Sequence, residues 1–231
     1  MQIAKTADSS LTLFSSEAGE HYHSVGEGAL RETYEKHIRP AFGIVKAAEQ
    51  KSVRVLDVCF GLGYNTLCSV MELIRLGFEG KCEIAAPELD RQLIASLNDF
   101  CHPNEIKEVD HIKRSLIKTL RYEDEKFKIE IVTKDAAEYV KNTKRRFDIV
   151  YHDPFSIMKN PSLWSGEYFA SLFNLLEDSG VVTTYSASAK ARQNMRHAGF
   201  LLYAHPFAAD SGLRSGTIAV KTALDGGLRQ V

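Results

Sequence analysis

The sequence has no long hydrophobic run, few cysteines and almost no net charge, and each of these shortages excludes a class of protein. No stretch approaches the roughly 18 consecutive apolar residues that a membrane-spanning helix needs. The first residues also lack the apolar segment of a secretory signal peptide. We therefore expect a cytoplasmic protein that does not associate with membranes.

The four cysteines are scattered, with no C-x-x-C pair, at positions 59, 68, 82 and 101. They fall in predicted strands and helices, which favours reduced, buried thiols over a zinc site or disulfides. His21 and His23 would share one face of a strand, but no third metal ligand stands nearby in the sequence. A polar strand edge that contacts a ligand explains the two histidines better, and we predict no metal.

The formal net charge of −1 argues against strong nonspecific binding of nucleic acid over the whole surface, although it is compatible with a local basic patch. With 231 residues and 44% hydrophobic composition, the chain is long enough for one globular domain with a sizeable core. We divide it into a lead-in at residues 1–25, this domain at 26–225 and a tail at 226–231.

Around residue 60 the sequence predicts a buried strand, a tight turn and a helix. The apolar run at 53–58 is followed by Gly61 and Gly63, and from Thr66 onward apolar residues recur at helical spacing. The glycines let the backbone approach a ligand closely, and the start of the helix offers free N–H groups and a positive dipole end. Such a unit opens an α/β sheet that binds nucleotides at the carboxyl edge of its first strand.

The spacing of the glycines separates two classes of nucleotide ligand. The dinucleotide pattern G-x-G-x-x-G requires glycine at position 66, where Thr66 stands, so NAD and FAD are disfavoured. Residues 57–63 instead resemble the D/E-x-G-x-G-x-G signature of class I S-adenosylmethionine-dependent methyltransferases, with Cys59 in place of the first glycine. The cysteine implies either that this position avoids positive φ or that the loop is slightly reshaped. The motif alone also permits an ordinary glycine turn without a ligand.

Acidic residues follow three further predicted strands, whose carboxyl ends meet at one edge of a parallel sheet. Glu88 is the candidate that accepts hydrogen bonds from both ribose hydroxyls, with Asp90 as the reserve or as a helix cap. Asp135 is a helix cap or an acceptor for the adenine amino group. Asp153 begins a segment similar to the D-P-P-Y loop with which amino-methyltransferases bind an amine, although the second proline is missing. Phe155 in that loop either stacks on a base or fills the core beneath it.

The order of the predicted strands and helices indicates an α/β fold of the Rossmann-like, class I S-adenosylmethionine-dependent methyltransferase type. We expect a seven-stranded, mostly parallel sheet that ends in a hairpin and carries a short N-terminal extension. Residues 29–47 predict a helix that Pro40 kinks or splits, and residues 102–126 predict a peripheral insertion.

Longer segments make the resemblance more specific. Residues 153–165 match approximately the pattern D-x-F-[AS]-P-x-K-N-P-x-[LM]-W-[TS], and residues 60–65 match F-G-[TL]-G-x-N. Residues 179–188 and 192–200 match two further segments of the same family. On these motifs the chain resembles the methyltransferase part of MnmC, a bacterial family that completes 5-methylaminomethyl-2-thiouridine at the wobble position of tRNA.

This resemblance implies S-adenosyl-L-methionine as the cofactor and tRNA as the partner. The implied reaction is N-methylation of the aminomethyl group of 5-aminomethyl-(2-thio)uridine. The chain ends before the family's FAD-dependent oxidase domain could begin, so we expect a stand-alone form that receives its substrate from the enzyme installing the aminomethyl group. The family's basic C-terminal motif is represented only weakly, at residues 207–216.

The resemblance and the strand-end argument together predict the site residues. Asp153 and Phe155 are the predicted catalytic residues, and Asp153 positions the amine. The predicted cofactor-binding residues are Tyr22, Glu32, Phe60, Gly61, Gly63, Asn65, Glu88, Asp135 and Asp153. The predicted substrate and RNA contacts are Lys159, Asn160, Trp164, Ser186, Lys190, Arg192 and Arg196.

Three other functions share parts of this pattern. An aminopropyl transferase similar to spermidine synthase would use the same fold and the same kind of carboxylate. Another amino-methyltransferase, acting on nucleic acid or protein, would use the same cofactor edge. A nucleotide-binding module without catalytic activity is the third alternative.

Overall fold

A central sheet of eight strands organises the protein, as seen in a computed structural model that describes residues 2–207 and 211–231. In chain order the strands are β1 (Gln2–Lys5), β2 (Leu11–Ser15), β3 (Glu20–His21), β4 (Ser52–Val58), β5 (Lys81–Pro87), β6 (Arg121–Glu123), β7 (Phe127–Val132), β8 (Phe147–His152), β9 (Leu176–Thr184), β10 (Leu201–Ala204) and β11 (Thr217–Val220). The helices are α1 (Ala29–Glu32), α2 (Arg39–Val45), α3 (Tyr64–Arg75), α4 (Arg91–Ser96), α5 (Asp110–Thr119), α6 (Ala136–Asn142), α7 (Gly166–Leu175) and α8 (Ala189–His197). A π-helical turn covers Thr33–Ile38, and 3₁₀ turns cover Ala47–Glu49, Asn104–Val109 and Pro161–Trp164.

The central sheet has the order β10-β11-β9-β8-β4-β5-β7-β6. Strands β7, β5, β4, β8 and β9 run parallel to one another, whereas β6 pairs antiparallel with β7, β11 with β9, and β10 with β11. This arrangement confirms the predicted fold class. It has one strand more than predicted, because β6, inside the segment interpreted as a peripheral insertion, pairs with the outer edge of β7. The turn between them is stabilised by Asp124, whose side chain accepts from the N–H groups of Lys126 and Phe127.

The central strand β4 separates two hydrophobic layers. Val53 and Val55 belong to the cluster that includes α3 and the helical segment before β4, whereas Leu56 and Val58 belong to the cluster that includes α6, α7 and α8. Side chains alternate between the two faces of a strand, so one apolar run supplies both layers. Asp57 continues the first series and is fully buried.

The helical region predicted at 29–47 is continuous from α1 through the π turn to α2. Pro40 lies in the first turn of α2, where a residue without an N–H group is tolerated. The wider π turn comes immediately before it and contains His37, which faces the sheet. At Pro40 the helix therefore changes from π-helical to α-helical geometry and does not break.

The two ends of the chain pack on the sheet domain in different ways. Strands β1, β2 and β3 form a small antiparallel sheet within the predicted lead-in. Near the C-terminus, the N–H of Ala204 bonds to the carbonyl of Arg229 (2.9 Å) and the N–H of Val231 bonds to that of Leu202 (3.0 Å). These last residues, within the predicted tail, thus run beside β10. Across residues 2–207 and 211–231, no helix combines the length and apolarity needed to cross a membrane.

Candidate active site

A cleft of about 1080 Å³ lies at the carboxyl ends of the parallel strands and beneath the N-terminal sheet. It is lined by the loops that follow β4, β5, β7 and β8 and by residues 15–25. The predicted site residues that line it are Tyr22, Glu32, Phe60, Gly61, Asn65, Glu88, Asp135, Asp153, Phe155, Lys159 and Asn160. Segments far apart in the sequence therefore meet in one cavity, as the strand-end argument predicts.

The loop after β4 depends on three residues with positive φ. Gly61 has φ +55° and Gly63 has φ +80°, and a Cβ on Gly63 would come within 2.8 Å of the Phe60 ring. Cys59 has φ +67° and thus keeps the backbone conformation of the glycine it replaces. The interpretation that this position avoids positive φ is therefore wrong. A left-handed conformation costs a residue with a Cβ about 1–2 kcal/mol, and the surrounding loop sustains this strain.

Glu88 connects the ends of β4 and β5. Its Oε2 accepts a hydrogen bond from the N–H of Gly61 at 3.0 Å, and its Oε1 accepts from the N–H of Asp90 at 2.9 Å. Burial raises the pKa of Glu88 above its usual value, although these N–H donors act in the opposite direction. Each carboxylate oxygen still has a free lone pair, so Glu88 can accept hydrogen bonds from a ligand in the cleft.

Two of the other predicted carboxylates at this edge act as helix caps. Asp90 accepts from the N–H groups of Gln92 and Leu93 at the start of α4. Asp135 accepts from the N–H of Glu138 at the start of α6, and it also lines the cleft. Capping thus accounts for Asp90 and Asp135 locally, and a contact from Asp135 to a ligand is still a prediction.

Asp153 follows β8 with its side chain 12% exposed. Its Oδ2 accepts a hydrogen bond from the amide of Asn65 at 3.0 Å, and its Oδ1 lies 3.6 Å from Nε2 of His37. Burial acts to raise the pKa of Asp153, but the interaction with the nearby imidazole of His37 outweighs it, so the pKa lies below its usual value. The cleft therefore contains a carboxylate that stays ionised at neutral pH.

Asp57 lies behind Asp153 and is linked to it by Asn65. It accepts from the Thr66 hydroxyl at 2.6 Å and from the Asn65 amide at 3.4 Å, and it has no exposed surface. Burial raises the pKa of Asp57 to about 7, and the charge of Asp153 acts in the same direction. The two carboxylates therefore have opposite pKa shifts although they share one amide donor.

The loop after β8 is held from several sides. The rings of Phe155 and Tyr22 lie 4.9 Å apart and form one wall of the cleft. Glu20 accepts hydrogen bonds from the N–H (3.1 Å) and the hydroxyl of Ser156, which ties this loop to β3. Tyr185 donates from its hydroxyl to the carbonyl of Pro154 at 3.1 Å. Phe155 is half-buried and faces the cleft, so it is not sealed beneath the loop.

Trp164 corrects one of the predicted RNA contacts. Its side chain is 1% exposed, its Nε1 donates to the carbonyl of Phe155 at 2.9 Å, and its ring packs edge-on against His152 at 4.5 Å. The indole thus supports the loop after β8 from within the core and cannot contact RNA directly. Polar residues surround Trp164 in the sequence, and this pattern indicates an exposed loop although the indole is buried.

The other predicted residues that do not line the cleft are Gly63, Ser186, Lys190, Arg192 and Arg196. Gly63 shapes the loop below the cleft, and Lys190 and Arg196 are exposed on α8. Arg192 is half-buried and bonds to the hydroxyl of Thr217 (2.9 Å) and the carbonyl of Gly216 (3.0 Å), so it fastens the start of β11. The hydroxyl of Thr217 also donates to the Ser186 carbonyl at 2.6 Å. The weak basic motif at 207–216 includes residues 208–210, which lie outside the described residues.

A buried charge cluster next to the cleft joins the predicted residue Glu32 to residues that the sequence does not indicate. Lys36 lies 2.6 Å from a carboxylate oxygen of Glu27 and 3.1 Å from one of Glu32, and Arg214 bonds to Glu27 at 2.6 Å. Burial acts against ionisation of Glu32, but the imidazole of His23, 3.8 Å away, and the charge of Lys36 lower its pKa well below the usual value. No sequence motif joins these residues, because Arg214 is 187 positions from Glu27. Within the described part of the chain, no group of three or more His, Cys, Asp or Glu side chains is arranged to hold a metal ion.

Comparison with known proteins agrees with this geometry. A family model described as S-adenosyl-L-methionine-dependent methyltransferase matches residues 104–221, about half of the chain. The crystal structure of MnmC2 from Aquifex aeolicus superposes with a TM-score of 0.87 at 32% sequence identity, over 96% of this chain and 71% of that one. A spermidine synthase bound to the analogue AdoDATO has a TM-score of 0.51 at 16% identity and shares the fold alone.

Curated relatives share shorter or more distant similarity. Protein MJ0670 of Methanocaldococcus jannaschii is 24% identical over 204 residues, which are 87% of this chain and 54% of that protein. The bifunctional protein MnmC of Paraburkholderia phymatum, named for tRNA 5-methylaminomethyl-2-thiouridine biosynthesis, is 32% identical over 81 residues, or 35% of this chain and 12% of that protein. The chain thus spans about half, or less, of the length of these relatives. The glycine loop, the strand-end carboxylates and the close match to MnmC2 lead to one conclusion: the chain belongs to the MnmC family of S-adenosyl-L-methionine-dependent methyltransferases.

Proposed function

We propose that this protein transfers the methyl group of S-adenosyl-L-methionine to the primary amine of 5-aminomethyl-(2-thio)uridine at the wobble position of tRNA. The product is 5-methylaminomethyl-(2-thio)uridine. The observation that carries the proposal is the carboxyl group of Asp153, which lines the cleft beside the aromatic wall of Phe155 and Tyr22. The names of the MnmC relatives support the choice of tRNA as the substrate.

The residues around the glycine loop fit the cofactor. Gly61, which has no side chain, lies at the cleft next to Tyr22. The free N–H groups at the start of α3 lie at the same edge of the sheet. Glu88, which follows the strand beside the glycine loop and lines the cleft, can accept hydrogen bonds from the ribose hydroxyls of the cofactor. When bound, the cofactor supplies a methyl group already activated by a sulfonium. The protein's own residues need only hold the acceptor in line with it.

The acceptor must be a neutral amine, because an ammonium has no lone pair to attack the methyl carbon. Deprotonating a primary amine with a pKa of roughly 10 costs about 4 kcal/mol at neutral pH. Asp153 accepts a hydrogen bond from the amine in this proposal and orients its lone pair. A carboxylate also favours the charged ammonium, whereas desolvation of the bound amine disfavours it. Positioning is therefore the role proposed for Asp153. The ammonium gives one proton to solvent before methyl transfer. The N–CH3 bond then forms as the S–CH3 bond breaks, which leaves S-adenosyl-L-homocysteine and a secondary ammonium.

Recognition of the uridine is assigned to the loop after β8. Phe155 can stack on the base, since every base has a π face. Lys159 is exposed at the rim of the cleft and can contact a phosphate. Because the reaction consumes an aminomethyl-uridine, another enzyme must install that group beforehand.

The direct test uses purified protein with radiolabelled S-adenosyl-L-methionine and three acceptors: tRNA that carries 5-aminomethyl-2-thiouridine, the same tRNA without that modification, and DNA. We expect label only in the first acceptor, and mass analysis of its nucleosides should show the monomethylated amine. Equal labelling of unmodified tRNA or DNA would contradict the proposal. Transfer of an aminopropyl group from decarboxylated cofactor to putrescine would instead favour the spermidine-synthase-like alternative.

A further inference from the structure

A fully buried imidazole lies behind the carboxylate of Asp153. His37 has no exposed surface, and its Nε2 lies 3.6 Å from Oδ1 of Asp153. Nε2 has no hydrogen-bond partner at ordinary distance among the described residues. Its Nδ1 lies 3.0 Å from the Thr183 hydroxyl on β9, and its ring packs edge-on against Tyr151. A buried polar nitrogen is costly without a partner, so its direction toward Asp153 requires an explanation.

The carboxylate of Asp153 selects the tautomer of His37, because the Thr183 hydroxyl can either donate to Nδ1 or accept from it. A threonine hydroxyl can donate to Nδ1, which leaves the imidazole hydrogen on Nε2, where it points at the carboxylate. In the opposite tautomer the bare lone pair of Nε2 would face the negative oxygen of Asp153, an unfavourable arrangement. The distance of 3.6 Å exceeds an ordinary N–H···O bond, and such bonds in ligand-free sites often shorten when the substrate binds.

We propose that His37 is a positioning residue: its Nε2–H holds one oxygen of Asp153, so that the other oxygen is directed at the substrate amine. The proposal rests on the proposed function, since it names the group that orients the predicted acceptor-binding carboxylate. Asn65 holds Oδ2 at 3.0 Å from the opposite side, and the two donors together define the plane of the carboxylate. The remaining lone pairs of Asp153 then point into the cleft.

Other charged groups also act on this pair. Around Asp153 these are His23 and Glu32 near the N-terminus, Asp57 on β4 and His152 on β8. His205 lies near both His37 and Lys36. Of the groups that favour the ionised form of Asp153, His37 acts most strongly, and His23 acts less. The effect of His37 can therefore be separated by substitution.

The test compares two substitutions of similar size. The side-chain nitrogen of glutamine can occupy the place of Nε2, so His37→Gln keeps a donor for Asp153. The side-chain nitrogen of asparagine reaches only the place of Nδ1, so His37→Asn keeps a partner for Thr183 but loses the donor. We expect turnover of His37→Asn to fall about tenfold to a hundredfold below that of His37→Gln, with the dissociation constant for S-adenosyl-L-methionine unchanged within threefold.

The second readout does not depend on turnover. Carbon-13 labelling of aspartate side chains allows the carboxyl of Asp153 to be titrated by NMR, with Asp153→Asn used for assignment. We expect the midpoint to move to higher pH in His37→Asn but not in His37→Gln. The acid limb of the pH profile of kcat/KM should move in the same direction, because ionised Asp153 is needed to hold the amine.

A substitution at Thr183 tests the tautomer without removing the imidazole. Thr183→Val lacks the hydroxyl, whereas Thr183→Ser keeps it and serves as the control. We expect Thr183→Val to reduce turnover and Thr183→Ser to restore it, at melting temperatures that match between the two.

The outcomes separate the inference from the proposed function. Equal turnover of His37→Asn and His37→Gln, or an Asp153 titration that is the same in both, would overturn the positioning role. If the wild-type protein fails to methylate aminomethyl-uridine, the proposed function fails. The NMR titration then decides by itself whether His37 controls Asp153.

Discussion

The amide of Asn65 donates a hydrogen bond to Oδ2 of Asp153 at 3.0 Å. The second hydrogen of the same amide is directed at the buried carboxylate of Asp57, 3.4 Å away. One side chain at the start of α3 therefore separates an ionised carboxylate that faces the cleft from a second one that burial drives toward the neutral form. This division of roles leads to predictions for each carboxylate.

Asp57 should make stability depend on pH. Its pKa is raised from 3.8 to about 7 in the folded protein, so the folded state binds a proton that the unfolded state has lost. The stability that this bound proton gives to the folded state is fully present below pH 3.8 and is lost as the pH rises through about 7. We expect Asp57→Asn to be increasingly stable relative to wild type across this range, by at most about 4 kcal/mol at pH 8. Urea unfolding from pH 4 to 8 measures this, and the exposed Asp225→Asn is the control. A difference that does not change with pH would contradict the shift.

Asp153 should be needed for methyl transfer and not for cofactor affinity. We expect Asp153→Asn to lower turnover at least about a hundredfold, because the neutral amide cannot hold the amine as a carboxylate does. The dissociation constant for S-adenosyl-L-methionine, measured by calorimetry, should change less than threefold. Activity close to wild type would remove this residue from the acceptor site.

Glu88 should show the reverse pattern. We expect Glu88→Gln to weaken binding of S-adenosyl-L-methionine about tenfold to a hundredfold, the effect of replacing hydrogen bonds to a charged group. Turnover at saturating cofactor should fall much less than it does in Asp153→Asn. Calorimetry and initial rates on the same preparations compare the two variants directly. Cofactor affinity equal to that of the wild type would exclude a ribose contact by Glu88.

The two cysteines at positions 59 and 82 should respond oppositely to the same substitutions. Cys59 has positive φ, so a β-branched side chain is strained there and glycine is not. We expect the free energy of unfolding of Cys59→Val to be about 2 kcal/mol lower than that of Cys59→Gly. Cys82 is buried within β5, where valine is favourable and glycine weakens the strand. Cys82→Val should therefore be the more stable of that pair, as measured by urea unfolding of all four variants.

The strand-turn-helix unit around Gly61 and the strand-end carboxylates Glu88 and Asp153 were predictable from the sequence. Their positions follow from local rules: apolar runs indicate buried strands, and parallel strands direct their carboxyl ends to one edge. The same rules predicted the fold class but missed β6, because a three-residue edge strand is too short for a periodic pattern. The conformation of Cys59 was likewise left open, because residue identity alone does not determine φ.

Only the tertiary structure showed that His37 stands behind Asp153 and that Trp164 lies in the core. The partners of His37 are Thr183 and Asp153, 146 and 116 positions away, and no local period relates such residues. Burial of Trp164 depends on the packing of α7 and His152, which its polar sequence neighbours do not reveal. Local sequence determined the strands, the glycine loop and the edge where a ligand can bind. Long-range packing decided which polar groups are dehydrated and face each other there, and dehydration and proximity set their ionisation.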